Sequence, residues 1–119
     1  MITYYFLDGT ENQRRKVNVI KAWEECANIT FKLVNSLPAN VRITFEGLYP
    51  YSTSVTDGKI AGMESPTMCL CMTADDNILT PSEKGIILHE FGHVLGLVHE
   101  QLSPNMKQKF RLKAAGTLR

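Results

Sequence analysis

All three histidines of the chain, His89, His93 and His99, fall within the stretch His89 to Glu100, which reads HEFGHVLGLVHE. His89 and His93 are four residues apart, so on a helix both imidazoles leave from one face and can bind a single ion. A tetrahedral zinc site that keeps one position open for water needs a third protein ligand. His99 supplies it if the helix stops after Leu95 and the chain turns. Gly96 permits that turn, because glycine adopts the left-handed backbone that commonly ends helices. Glu90 follows the first ligand and sits near the edge of the histidine face, where its carboxylate can touch metal-bound water without taking a coordination position. A lone helical histidine is more often a surface residue or a satisfied core residue than a ligand. Three at ligand spacing, with a carboxylate and a glycine where the chemistry requires them, argue for the metal.

These residues need a helix with a defined start. Thr80, Pro81, Ser82 and Glu83 combine a capping box with proline at the first helical position, so the helix is predicted to begin at Pro81. Along it Ile87, Phe91, Val94, Leu95 and Val98 share one face, with His89 and His93 roughly opposite. Core and chemistry are thereby separated.

Upstream, Ile2 to Leu7 is apolar or aromatic on both alternating faces, as expected of a central strand. Asp8 and Gly9 make a turn, and Thr10 with Gln13 opens a helix predicted to run to about Ala27. Val19, Ile20, Trp23, Cys26 and Ala27 fall on its inner side, with Trp23 as core anchor and Cys26 as a small buried hydrophobe rather than a disulfide or ligand cysteine. Arg14 to Lys16 read as a solvated face. Ile29, Phe31 and Leu33 then alternate as a second strand, parallel to the first through a right-handed crossover. After the turn-like Ser36 to Asn40, Val41, Ile43 and Phe45 alternate with Arg42 and Thr44 as a third strand. Gly47 to Gly58 is a loop whose Tyr49 and Tyr51 either cover the sheet, the favoured reading, or approach a substrate. Lys59 to Met63 and Met68 to Met72 are two further short strands. Cys69 and Cys71 point to one face of the latter, as buried strand residues in preference to a thiolate metal pair.

With 119 residues, a formal charge of +1 and 44% hydrophobic residues, the chain fits one ordinary globular domain. Nothing in that balance calls for nucleic acid or a membrane as partner. No apolar run approaches the roughly 18 residues of a spanning helix, and Met1 is followed by a strand-like stretch rather than the cationic start of a signal peptide. Three cysteines cannot all pair internally, and Cys69 and Cys71 are too close for an easy mutual disulfide. The redox compartment stays open.

The pattern HExxHxxGxxHE resembles the extended zinc signature of the metzincin metallopeptidases, and most closely that of the astacins, which share the glutamate after the third histidine, here Glu100. Gln101 to Asn105, and Pro66, Thr67 and Met68, are similar to the corresponding stretches of small microbial astacin-like peptidases. The resemblance runs from Ile2 to about Asn105 and is most specific in the zinc segment. It implies an α+β, zincin-like fold: a twisted, mostly parallel sheet of about five strands with an antiparallel edge strand, a backing helix and an active-site helix. It also implies one catalytic Zn2+ held by His89, His93 and His99, a peptide lying along the edge strand Lys59 to Met63 with Ile60, Ala61 and Gly62 as substrate-binding residues, and an extracellular location. An exposed strand edge is in any case a template for main-chain pairing with an extended peptide.

The chemistry that follows is hydrolysis of peptide bonds by metal-activated water, with Glu90 first as base and then as acid towards the leaving amine. No GxSxG-like nucleophile segment is present and every histidine is committed to metal, which disfavours a serine or cysteine hydrolase. Glu100 is either a buried partner that fixes the turn after His99, as the resemblance implies, or a solvated acid. The chain departs from the family towards its C-terminus. Met106 lies in MKQKF, which does not resemble the methionine turn beneath the zinc, and the tyrosine that many astacins add as a zinc ligand has no matching position. A truncated C-terminal subdomain is therefore expected, with residues 1–106 as the catalytic domain and 107–119 as a basic tail. The partners expected are a protein or peptide substrate, no nucleic acid and no membrane, with the chain a monomer. The alternative reading is a truncated zinc-binding pseudoenzyme or peptide-binding module without efficient turnover.

Overall fold

The computed structural model describes residues 1–53 and 65–96. Among the described residues five strands form one sheet in the order β2-β1-β3-β5-β4. β1 (Ile2–Phe6) lies between β2 (Phe31–Leu33) and β3 (Val41–Thr44) and is parallel to both, with Tyr4 opposite Leu33 on one side and Val41 on the other. β5 (Met68–Cys69) continues the parallel order beside β3. β4 (Tyr51–Ser52) closes it as an antiparallel edge, with Tyr51 opposite Cys69. The α+β architecture, the interior place of β1 and the antiparallel edge agree with the sequence reading. Among the described residues the antiparallel strand is Tyr51–Ser52, which the sequence reading had placed in a loop. Lys59 to Met63 lie outside the described residues, as do the expected boundary near Met106 and the basic tail.

β3 is buried along its whole length, the polar members of its alternation included. Arg42 satisfies its burial by donating from Nε to the Ser65 carbonyl at 2.7 Å and from a terminal nitrogen to the Ala39 carbonyl at 3.0 Å. At the opposite edge, Phe31 is buried but Leu33 is exposed, since β2 has a neighbour on one side only.

The backing element is not one α-helix to Ala27. It runs as α1 (Glu11–Lys16), a 3-10 segment Val17–Ile20, and α2 (Lys21–Glu24). The cause is local: Val17, Val19 and Ile20 are β-branched and stiff, and the tighter turn of three residues lines up Val17 with Ile20, both fully buried. The Thr10 and Gln13 capping box forms as predicted. At the end of α2, Glu24 accepts from the Phe31 amide at 2.7 Å, which ties the helix to the start of β2. Cys26 is buried with a free thiol, as expected.

The core lies between the sheet and the two helical elements. Tyr4, Phe6, Ile43 and Met68 of the sheet meet Val17, Ile20 and Trp23 of the backing run and Ile87 and Phe91 of α3 (Pro81–Val94). Phe91 stands edge-on to both Tyr4 and Phe31, with ring centroids 6.1 and 5.3 Å apart, the geometry the ring quadrupoles favour. Trp23 is the anchor expected, and its indole donates to the Leu88 carbonyl at 3.1 Å, joining the middle of α3 to the backing run. Tyr49 does not cover the sheet: it is exposed, with its ring edge-on to that of Tyr51, 6.2 Å away.

Candidate metal centre

The helix that carries the site is fixed at both ends. At its start the Thr80 hydroxyl accepts from the Glu83 amide at 3.1 Å, and the Glu83 carboxylate accepts from the Thr80 amide at 3.0 Å. Pro81 follows the cap, where its missing N–H costs nothing. The second oxygen of Glu83 takes a 2.8 Å hydrogen bond from Lys16 Nζ, which also donates to Asp76 at 2.9 Å. Lys16 was read as solvated, yet only 5% of it is exposed. Its position follows from spacing: Gln13, Lys16, Ile20 and Trp23 recur every three or four residues on the inward face, and Lys16 reaches along it to the acids at the start of α3. Burial alone pulls the Lys16 ammonium down, but its bonds to Glu83 and Asp76 outweigh this and leave it raised. Burial likewise pushes Glu83 up, while Lys16 and Thr80 bring it below the ordinary carboxylate value. The Lys16 hydrogen bond, with the Ile78 amide, holds Asp76 low.

At its far end α3 stops where the sequence said it should. Leu95 donates to the Phe91 carbonyl at 3.2 Å, and Gly96 to that of His93 at 2.9 Å. Gly96 is left-handed, with φ +69°. The chain therefore turns off the helix directly after the second histidine, with that histidine's own carbonyl closing the turn.

Between these ends, Ile87, Phe91 and Val94 are buried against the sheet, while His89 is exposed and His93 half-buried on the other side. The two Nε2 atoms lie 3.0 Å apart, with rings 4.6 Å apart and nearly perpendicular. Two nitrogens on a tetrahedral zinc at about 2.0–2.1 Å each are separated by about 3.3 Å, so the pair fits two vertices of such a site. Glu90 lies between the two ring positions in sequence and only 5% of it is exposed. Burial pushes its carboxyl up, and positive charge on His89 and His93 pulls the other way.

The structure thus brings together His89, His93 and Glu90. His99, Glu100 and the residues expected to bind substrate, Ile60, Ala61 and Gly62, lie outside the described residues, and among the described residues no group of three ligand-type side chains gathers. The sequence reading missed Lys16 and Asp76 as the supports of the helix start. For Lys16 the three-and-four spacing with Gln13 and Ile20 was the available signal. Asp76 offered none, because a loop carboxylate has no periodicity to read.

Comparisons with known proteins place this arrangement. No family model matches the chain. It is 33% identical over 90 residues to zinc metalloproteinase nas-36 of Caenorhabditis briggsae, and equally so to that of Caenorhabditis elegans, covering 75% of this chain in each case. The chain spans 13% of the length of these relatives. Two solved structures of myroilysin are similar at 34% identity, with TM-scores of 0.70 and 0.71 over 83% and 84% of this chain and 48% and 44% of theirs.

Proposed function

The chain belongs to the metzincin-like zinc metalloproteases, and from that premise we propose that it is a zinc-dependent endopeptidase with His89, His93 and His99 as ligands and Glu90 as general base and acid. The observation that carries the proposal is the pair of Nε2 atoms 3.0 Å apart on a helix that also buries Glu90 and turns at Gly96. One zinc ion bound there supplies a Lewis acid that acidifies water and polarises a carbonyl.

The remaining work belongs to the chain. Glu90 takes the proton of the attacking water and returns it to the leaving amide nitrogen. Its burial suits both steps, because a carboxyl whose affinity for the proton is raised by burial is a stronger base than an exposed one and holds the proton longer. α3 holds the base in register with the histidines, since all three sit within five residues of a capped helix packed through its other face. Among the described residues β4 is the edge strand of the sheet and neighbours α3, so an extended peptide pairing on that side of the sheet lies close to the helix that carries the histidines. Ile60, Ala61 and Gly62, which follow β4 in the chain, are the proposed main-chain partners of the substrate. The reading includes an extracellular location, a protein or peptide substrate, a monomeric state, and no nucleic-acid or membrane partner. Among the described residues no helix is long and apolar enough to cross a membrane.

The test is cleavage of an unfolded protein substrate by the zinc-loaded chain, with and without chelator, beside Glu90→Gln. Chelation abolishes cleavage, and Glu90→Gln lowers kcat about 10²–10⁴-fold while zinc affinity holds. Cleavage that survives Glu90→Gln unchanged removes the catalytic role. Zinc binding without cleavage by the unaltered chain makes it a binding module instead.

A further inference from the structure

The sequence pairs two cysteines around one leucine, and the structure departs there from a regular strand. β5 ends at Cys69, and Cys71 adopts φ +52°, a left-handed conformation that an L side chain takes only at a cost. In a straight strand the two side chains would stand about 6.6 Å apart along one face. Instead the thiols settle on consecutive carbonyls of one segment: Cys69 Sγ donates to Glu46 at 3.5 Å and Cys71 Sγ to Gly47 at 3.0 Å. Gly47 makes this possible, because a Cβ there would stand 2.5 Å from Cys69 Sγ. Cys69 is fully buried and Cys71 partly exposed, so the pair has a closed inner sulfur and an open outer one.

We propose that Cys69 and Cys71 form a two-thiolate site for one soft d10 cation, with copper(I) the physiological member of that class. Thiolate sulfur selects such ions over those that prefer oxygen or imidazole, and low coordination suits a site with two sulfurs. Binding releases one proton from each thiol to solvent and forms two sulfur–metal bonds. The cation keeps its oxidation state. Burial pushes the Cys69 thiol up, the Cys71 N–H opposes that, and charge on Cys71, Asp8 and Glu90 raises it further. The buried Cys69 thiol therefore keeps its proton until a strongly thiophilic cation displaces it.

A disulfide is the competing outcome, and the backbone argues against it. Closing one requires sulfurs about 2.05 Å apart and Cβ atoms about 3.8 Å apart. The intervening Leu70 is fully buried, and its amide is held by the Thr44 carbonyl at 3.0 Å, which opposes the shift needed. A linear sulfur–metal–sulfur unit, with bonds near the roughly 2.3 Å of zinc thiolates, spans about 4.5 Å, so it joins sulfurs that stand further apart than a disulfide allows.

The experiment titrates the reduced, zinc-loaded chain under anaerobic conditions with copper(I) buffered by a coloured competing chelator. The chain takes up one equivalent, and X-ray absorption shows two sulfur neighbours. Cys71→Gly removes a ligand while suiting the left-handed backbone, so it folds at least as well as the parent and loses about 100-fold or more in affinity, beyond the cost of an outer-sphere change. Cys69→Ala behaves alike, and His89→Ala retains the copper equivalent. The proposal is overturned if Cys71→Gly binds copper(I) as the parent does, if His89→Ala loses the equivalent, or if the parent fails to compete with the chelator. It is overturned equally if oxidised glutathione converts the pair to an internal disulfide in a chain that takes up no copper(I).

Discussion

The two helical elements that flank the core open with the same device and then diverge. Thr10 with Gln13 and Thr80 with Glu83 both form complete capping boxes. The first element changes pitch after six residues, whereas α3 runs for fourteen without interruption. The difference follows from what each must place. The backing run fills volume through Val17, Ile20 and Trp23, and a change of pitch that still points these inward loses nothing. α3 must carry two imidazoles to one point, and its histidine nitrogens meet at 3.0 Å only while each residue keeps its 100° step. Regularity is therefore needed in the helix proposed to hold the metal and dispensable in the one that supports it.

Substitutions in the two elements test that division. The largest effect is expected from Trp23→Ala, which deletes a buried anchor and its bond to Leu88. It lowers stability by about 3–5 kcal/mol in urea unfolding and leaves the zinc affinity of the folded fraction nearly unchanged. His93→Ala should do the reverse. Competition with a chromophoric chelator shows zinc affinity falling more than about 100-fold, while stability without metal moves by about 0.5 kcal/mol or less. If His93→Ala unfolds the chain, or Trp23→Ala abolishes zinc binding by folded protein, chemistry and support are not separate.

Lys16 is the joint between the elements, and Lys16→Met is expected to cost about 2 kcal/mol at neutral pH. That is less than a fully buried pair, because Asp76 is half-exposed. Its pH dependence identifies the cause. Asp76 and Glu83 are held below their unfolded values, so their contribution is complete above about pH 5 and is lost as pH falls through the lowered folded values. Lys16 is raised, so its contribution is complete below its unfolded value of about 10.4 and is lost as pH rises through the folded one. The difference between parent and variant, measured by urea unfolding across pH, is thus a plateau that falls away in strong acid and strong base. A difference flat through pH 3 would assign the effect to packing instead.

What the sequence made legible was whatever rests on local rules. Both capping boxes, the start at Pro81, the stop at Gly96, the parallel central strands and the buried Trp23 each follow from a few neighbouring residues. What escaped it depends on partners far along the chain. Lys16 read as solvated because its acids lie 60 and 67 residues away. The burial of Arg42 was not legible, because alternation cannot show that Ser65 brings a carbonyl to it. Tyr51–Ser52 was read as loop because a strand of two residues has no period to detect. At the candidate site, His89, His93 and Glu90 were legible from the helix alone, since one element sets all three.

The smallest effect is expected at Gly96, and it probes the boundary between the regular helix and the turn beyond it. Its φ of +69° suits glycine, and alanine there costs about 1 kcal/mol against a backbone that L residues avoid. Asparagine tolerates this conformation better, so Gly96→Asn should lie between parent and Gly96→Ala in urea unfolding. If Gly96 serves only to end α3, zinc affinity follows stability in this series. If it also aims the chain so that His99 completes the ligand set, zinc affinity falls further than stability does, because a helix extended past Leu95 carries the third histidine away from the first two. Equal losses on both scales would leave Gly96 a helix stop and nothing more.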